Sequence, residues 1–152
     1  MTLIVVKPYY PIYLDLSQRR VVVVGAGKVG MRKIRGLLDA GAQVTVVSPE
    51  GAGDLAGTNW IQREYRRGDL SGAFLAYAAT EVRRVNEAVT EEARELAIPI
   101  NVADAPADCG FIVPARLQID DLQIAVSTGG TKPGRAAAIR DRIREFLSGA
   151  AL

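Results

Sequence analysis

The sequence predicts an α/β fold: a doubly wound parallel sheet followed by an antiparallel hairpin and a final helix. Three observations carry this prediction. Short apolar runs alternate with stretches whose apolar residues recur at helical spacing, the signature of strands and helices in turn. A glycine-rich turn, Gly25-Ala26-Gly27-Lys28-Val29-Gly30, joins the first apolar run to the first helical stretch. Past Asn101–Pro106 the alternation stops, and two apolar runs follow each other with no helix between them.

Taken in order, Arg20–Val24 reads as the first strand. Val29 to Ala40 carries apolar residues at Val29, Met31, Ile34, Leu37 and Leu38, which suits a helix with one buried face. Gly41 is placed to end it. Val44–Val47 is the second strand, and Ser48-Pro49-Glu50-Gly51 ends it, because proline removes a donor and glycine marks a turn. Gly51–Thr58 has room for one weak helical turn. Trp60–Tyr65 alternates loosely as a third, edge strand, and Phe74–Ala79 is the fourth. Glu81–Ala97 reads as a helix capped by Thr80, with Val82, Val85, Ala88, Val89 and Leu96 on its inner side. Ile98–Val102 is the fifth strand. Phe111–Pro114 and Leu122–Ser127, joined through Asp120-Asp121, predict a hairpin on the edge of the parallel sheet. Pro133 starts a last helix, Gly134–Leu147, with Ile139, Ile143, Phe146 and Leu147 as its apolar side. We expect two parts: residues 1–114 as the sheet domain and 115–152 as a hairpin-and-helix extension. An amphipathic helix in that position needs a cover, and a second copy of the chain is the favoured one.

Composition excludes several function classes. The chain has 152 residues and a net charge of +2, too small to imply a nucleic-acid partner. It has no histidine, which excludes His-ligated metal sites, Ser-His-Asp triads and histidine bases. Proton transfer must use Asp, Glu, Lys, Tyr or water. Cys109 is the single cysteine, so no intrachain disulfide forms, which fits a reducing compartment. The apolar stretch Leu3–Val6 is too short for a signal-peptide core, and no run reaches membrane-spanning length. The expectation is a soluble, cytoplasmic protein with no membrane partner.

The turn Gly25–Gly30 is a G-x-G-x-x-G pattern between a strand and a helix, the setting in which it binds a dinucleotide in Rossmann-like folds. The first glycine permits the tight turn. The second lets the backbone approach a pyrophosphate, and the third lets helix and strand pack closely. The helix N-terminus offers unpaired N–H groups and the positive end of its dipole. The bland alternative is a glycine-rich β–α turn with no ligand.

Ligands of open parallel sheets bind at the carboxyl ends of the strands. The second strand of many NAD-binding folds ends in an acid that holds the ribose; here that position is Ser48, with Pro49 and then Glu50. No arginine stands beside Ser48 to take a 2′-phosphate, which favours NAD over NADP. Glu50 reads equally as an exposed loop carboxylate. Asp104 lies just past the fifth strand and reads either as a general base or as an Asx-turn residue before Pro106. Ser127–Pro133 is a second glycine-rich loop whose Thr128, Gly129 and Lys132, with Arg135 beyond, form either an anion dock or a helix cap with a solvated basic face. Cys109 reads as a small buried residue.

Together these segments resemble the precorrin-2 dehydrogenase family, which includes the amino-terminal dehydrogenase and ferrochelatase module of sirohaem synthase. The residues that carry the resemblance are Tyr9–Leu16, Val21–Gly30 with Arg32-Lys33, Val44–Glu50, Ala78–Thr80, Asn101–Pro106, Phe111–Pro114 and Ala125–Pro133. The pairing of Asn-Val-x-Asp-Ala-Pro with Ser-x-Gly-Gly-Thr-x-Pro, behind a glycine-rich turn, is distinctive. The resemblance implies NAD-dependent oxidation of precorrin-2 to sirohydrochlorin, and in some members insertion of Fe²⁺ as a second substrate. The macrocycle carries eight carboxylates, which gives the basic carboxyl-terminal region a purpose. Asp104 falls on the family's catalytic aspartate. Gly25, Ala26, Gly27, Lys28, Val29, Ser48, Pro49, Glu50 and Thr80 fall on its cofactor segments, and Thr128, Gly129, Lys132 and Arg135 on the side of the substrate. No resident metal is implied, and a homodimer is. Longer members continue into a helical domain, whereas this sequence stops one helix after the Ser-Thr-Gly-Gly loop. It therefore reads as a short form or one completed elsewhere. Two other classes compete: a regulatory NAD-binding module of a transport protein, and a non-redox tetrapyrrole chelatase or carrier.

Overall fold

Four consecutive valines set the centre of the fold. A strand that is apolar at every position is stable only when covered on both faces. In the computed structural model, which describes residues 7–149, Val21–Val24 lie in β1 (Arg20–Ala26) and are buried. The chain continues through α1 (Lys28–Asp39), β2 (Gln43–Gly51), β3 (Asn59–Ile61), β4 (Leu75–Ala78), α2 (Arg83–Glu95) and β5 (Ile100–Val102). The five strands form one parallel sheet in the order β3-β2-β1-β4-β5. This order makes the sheet doubly wound, the class expected, with its switch point between β1 and β4.

The period of a strand sends alternate residues to opposite faces. On one face Val21, Val23, Val44, Val46 and Tyr77 meet Met31, Ile34 and Leu37 of α1. On the other, Val22, Val24, Ala76, Ile100 and Val102 meet Val89 and Ala93 of α2. Each buried Val, Ile or Leu contributes about 1.5–3 kcal/mol relative to exposure, so the sheet is the rigid platform for the loops at its carboxyl end.

Several expected boundaries move. Ser48–Gly51 does not end β2. The strand runs on to Gly51, which pairs with Ala26 across a break in register after Val24–Val47, so Ser48-Pro49-Glu50 bulges outward from the ladder. A bulge accommodates Pro49 without demanding its missing N–H. β3 stops at Ile61, and residues 52–58 form turns and bends, not a helical turn. α2 begins at Arg83 with Val82 as N-cap. Thr80 lies upstream of it, and its hydroxyl accepts the Val82 N–H at 3.2 Å. The inner side of α2 holds Val89 and part of Val85 as expected, but differs at its ends and in its polar residues. Val82 and Leu96 are exposed, while Asn86, Thr90 and Glu92 are buried beside Val89 and Ala93. Leu3–Val6 lies outside the described residues.

Ile12–Phe111 forms one compact unit; of the described residues, 112–149 with 7–11 form another. In the second unit β6 (Ala115–Ile119) and β7 (Leu122–Val126) form an antiparallel hairpin turned by Asp120-Asp121. The hairpin is a two-stranded sheet of its own instead of an edge of the parallel sheet, and its first strand starts at Ala115, after Phe111–Pro114. Phe111 instead packs edge-on against Tyr77 at 5.3 Å between ring centroids. α3 (Pro133–Gly149) follows, with Ala136 buried and Ile139 and Phe146 exposed.

Candidate active site

The glycine-rich turn is built by close approach. Gly25 has φ +99°, which disfavours any side chain, and a Cβ there would lie 2.6 Å from the Ala79 carbonyl oxygen. A Cβ on Gly30 would lie 2.1 Å from the Gly25 carbonyl oxygen. These two glycines let β1, α1 and the end of β4 touch. Gly27 differs: it is the N-cap of α1, and nothing lies within 4 Å of its would-be Cβ. No side chain caps the helix there. The first bond back to the cap is Met31 N–H to the Gly27 carbonyl, so the N–H groups of Lys28 and Val29 precede the helical ladder. An open space over bare helix N–H groups fits a pyrophosphate. Lys28 and Val29 are both exposed in this first turn.

Ser48 is placed for structure. Its side chain is buried; its hydroxyl donates to the Glu50 carbonyl at 2.6 Å and accepts the Ala26 N–H at 3.2 Å. The Ser48 carbonyl accepts the Trp60 indole N–H at 2.9 Å. Ser48 thus fastens the β2 bulge to the glycine-rich turn. Pro49 and Glu50 project from that bulge and are exposed, which leaves the Glu50 carboxylate accessible at the end of β2.

The ends of β4 and β5 are joined by a residue that the sequence reading passed over. Asn86, on the second turn of α2, is 1% exposed. Its Nδ2 donates to the Thr80 carbonyl and to Asp104 Oδ1, each at 3.0 Å. Its Oδ1 accepts the Thr80 N–H at 3.1 Å and the Thr80 hydroxyl at 2.8 Å. Asp104 itself is exposed, and its Oδ2 lies 3.6 Å from the Arg83 guanidinium. Arg83 also pairs with Glu87 at 2.9 Å and stands 3.9 Å from Asp108. Thr80, Asn86 and Asp104 therefore form one hydrogen-bonded unit beside the Gly25 turn, whose approach to Ala79 and Thr80 is set by glycine.

The loop that carries Asp104 is anchored from below. Cys109 is buried, with its Sγ accepting the Val102 N–H at 3.2 Å. Asn101 Nδ2 donates to the Phe111 carbonyl at 3.0 Å, and Asn101 Oδ1 accepts from Lys33 Nζ at 2.7 Å. Lys33 Nζ also lies 5.2 Å from the centroid of the Tyr77 ring. Burial, and then the nearby Arg32 charge, hold the Lys33 amine below the usual lysine range. Neither Asn86 nor Lys33 carries a local motif. The trace available in sequence was a polar residue at a position that the 3.6-residue period assigns to the buried side.

In the second unit Thr128 shapes the loop before α3. Its Oγ1 accepts the Lys132 N–H at 3.0 Å, and its carbonyl accepts the Thr131 hydroxyl at 2.7 Å. Gly129 and Gly130 have φ of +65° and +79°. The Lys132 carbonyl accepts the Ala136 N–H, and the Lys132 and Arg135 side chains are exposed at the start of α3. Among the described residues no group of three His, Cys, Asp or Glu side chains is arranged to hold a metal. No helix there is long and apolar enough to cross a membrane.

A five-stranded parallel sheet with an open glycine turn at its switch point defines a dinucleotide-binding α/β domain. The model of the family described as "Putative NAD(P)-binding" matches residues 12–115. Siroheme synthase from Azotobacter vinelandii is 40% identical over 145 residues, covering 91% of this chain and 31% of that protein. Siroheme synthase from Methylobacillus flagellatus is 42% identical over 143 residues, covering 90% and 31%. The chain thus spans about a third of the length of these relatives. The solved structure of SirC, precorrin-2 dehydrogenase, aligns with a TM-score of 0.73 and 30% identity, covering 92% of this chain and 70% of that one. The chain belongs to the precorrin-2 dehydrogenase family.

Proposed function

We propose that this chain binds NAD⁺ and oxidises precorrin-2 to sirohydrochlorin, a step in sirohaem synthesis. The observation that carries the reading is the pairing of an open phosphate cradle at Gly27 with an exposed carboxylate, Asp104, which Asn86 ties to Thr80 beside Gly25 of the same glycine-rich turn. The 30% identity to SirC over nearly the whole chain supports the same reaction.

The N–H groups of Lys28 and Val29 would hold the pyrophosphate, with Gly27 leaving room for it. Glu50 would reach the ribose, and Ser48 would hold the bulge that presents Glu50. Bound NAD⁺ supplies the acceptor for the two electrons that leave the macrocycle as hydride. The Asp104 carboxylate orients the macrocycle, accepts the proton lost alongside that hydride and releases it to water. The balance is precorrin-2 and NAD⁺ to sirohydrochlorin, NADH and one proton. Thr128, Gly129, Lys132 and Arg135 would receive the substrate carboxylates, since exposed cations and N–H groups suit them.

The finer parts of this reading are a homodimer, Fe²⁺ as a further substrate, and a cytoplasmic setting. The exposed Phe146 and Ile139 of α3 favour a second copy as cover. Anaerobic incubation of the purified chain with precorrin-2 and NAD⁺ tests the function. The expected result is NADH in equal amount to a sirohydrochlorin spectrum. Macrocycle binding without NADH would replace this reading with a carrier or chelatase, and added Fe²⁺ would separate those two.

A further inference from the structure

We propose that Asn86 is a positioning residue that fixes the Asp104 carboxylate against the Thr80 loop; the inference rests on the catalytic reading of Asp104 given above. Asn86 stands in the second turn of a helix, where asparagine is a poor helix former. It is also 1% exposed, where an amide must find partners for every polar atom. It finds them all. Both Nδ2 hydrogens are given, to the Thr80 carbonyl and to Asp104 Oδ1, and both Oδ1 acceptor sites are taken by the Thr80 N–H and hydroxyl. The Thr80 hydroxyl proton has the Val82 carbonyl as a second acceptor at 3.0 Å, but the amide still cannot rotate or flip without breaking its bonds to the Thr80 backbone and to Asp104 together. The Asp104 carboxylate is otherwise exposed, and its second oxygen faces the exposed Arg83, which is shared with Glu87 and Asp108. Such a surface pair holds a side chain weakly. The buried amide is therefore what gives Asp104 a fixed orientation, and it fixes it relative to the loop that abuts Gly25.

A double-mutant cycle tests this on the full chain. Asp104→Ala, Asn86→Ala and the pair are compared for kcat and KM in the precorrin-2 assay. Asn86→Ala is expected to lower kcat about tenfold with KM for precorrin-2 nearly unchanged, and to add no further loss in the Asp104→Ala background. Additive losses would overturn the proposal, because a merely structural residue acts whether or not Asp104 is present. If Asp104→Ala alone keeps full turnover, the catalytic reading of Asp104 fails instead. Should Asn86→Ala not fold, Asn86→Ser, which is neutral, smaller and too short to reach Asp104, carries the same cycle. A second readout needs neither turnover nor an Asn86 variant. The side-chain amide resonances of Asn86 in the NAD-free chain should move on Asp104→Ala, and unmoved resonances would overturn the link.

Discussion

The carboxyl end of β1 and the carboxyl ends of β4 and β5 are made of different materials. At β1 the site is backbone: Gly25 and Gly30 are defined by what cannot fit beside them, and Gly27 by the space it leaves. At β4 and β5 the site is side chains, with Thr80, Asn86 and Asp104 joined by hydrogen bonds across stretches of 6 and 18 residues. The difference teaches how each half can fail. A backbone site fails by occupation, when an added atom fills a needed space. A side-chain site fails by loss, when a removed atom leaves a partner unpaired and free to turn.

The largest expected effect breaks the side-chain half. Asp104→Ala should lower kcat by about 10²- to 10⁴-fold, the usual worth of a general base. NAD⁺ affinity by calorimetry should stay within about twofold, since the proposed function gives cofactor grip to the other half. A parallel fall in NAD⁺ affinity would merge the two halves into one.

Next in size is occupation of the cradle. Gly27→Val should weaken NAD⁺ binding by about 100-fold, or about 2.7 kcal/mol, while leaving the melting temperature nearly unchanged, because its Cβ meets nothing within 4 Å. Gly30→Ala is the control within the same turn. Its Cβ would meet the Gly25 carbonyl oxygen at 2.1 Å. A clash with backbone cannot relax by a rotamer change, so stability should fall by about 3 kcal/mol, read by chemical denaturation. Equal behaviour of the two glycines would mean that the turn has one role and not two.

The same contrast explains what was legible in the sequence. The order of strands and helices, the glycine turn and the placement of Asp104 beyond β5 could be read because each is encoded within a few neighbouring residues. The role of Asn86 could not, because its partners come from two other segments of the chain. Its signal was also mixed: the hydrophobic period assigned the inner face of α2 to Val82, Val85, Ala88, Val89 and Leu96, and the helix does bury Val89 and part of Val85, but it exposes Val82 and Leu96 and fills that side with Asn86, Thr90 and Glu92. Buried polar residues that satisfy one another look like surface residues in a one-dimensional pattern. Ser48 shows the converse. Its position at the end of the second strand suggests a ribose contact, and what the strand pattern did not show is that the β2 bulge turns its hydroxyl inward to Ala26 and Glu50.

The smallest prediction asks whether the polar inner face of α2 is a device of the site or of the fold as a whole. Glu92 lies six residues beyond Asn86 on α2, at the edge of that face, and is buried. It accepts the Tyr65 hydroxyl and the Gly68 N–H, the latter at 2.7 Å. Burial first, and then the bond to Glu92, push the Tyr65 phenol above its ordinary range. The folded chain therefore holds this proton more tightly than the unfolded one. The resulting stability is present below the ordinary tyrosine pKa of about 10 and is lost as pH rises above it. Tyr65→Phe should lower the melting temperature at pH 8 by about 2–4 °C, the equivalent of about 1 kcal/mol. The gap between variant and wild type should narrow as pH passes 10, measured by thermal melts from pH 8 to 11. Turnover of precorrin-2 by the variant should be unchanged below its melting range. A loss of turnover without a loss of stability would extend the side-chain half of the site along the whole of α2, because Glu92 would then reach Asp104 through the helix.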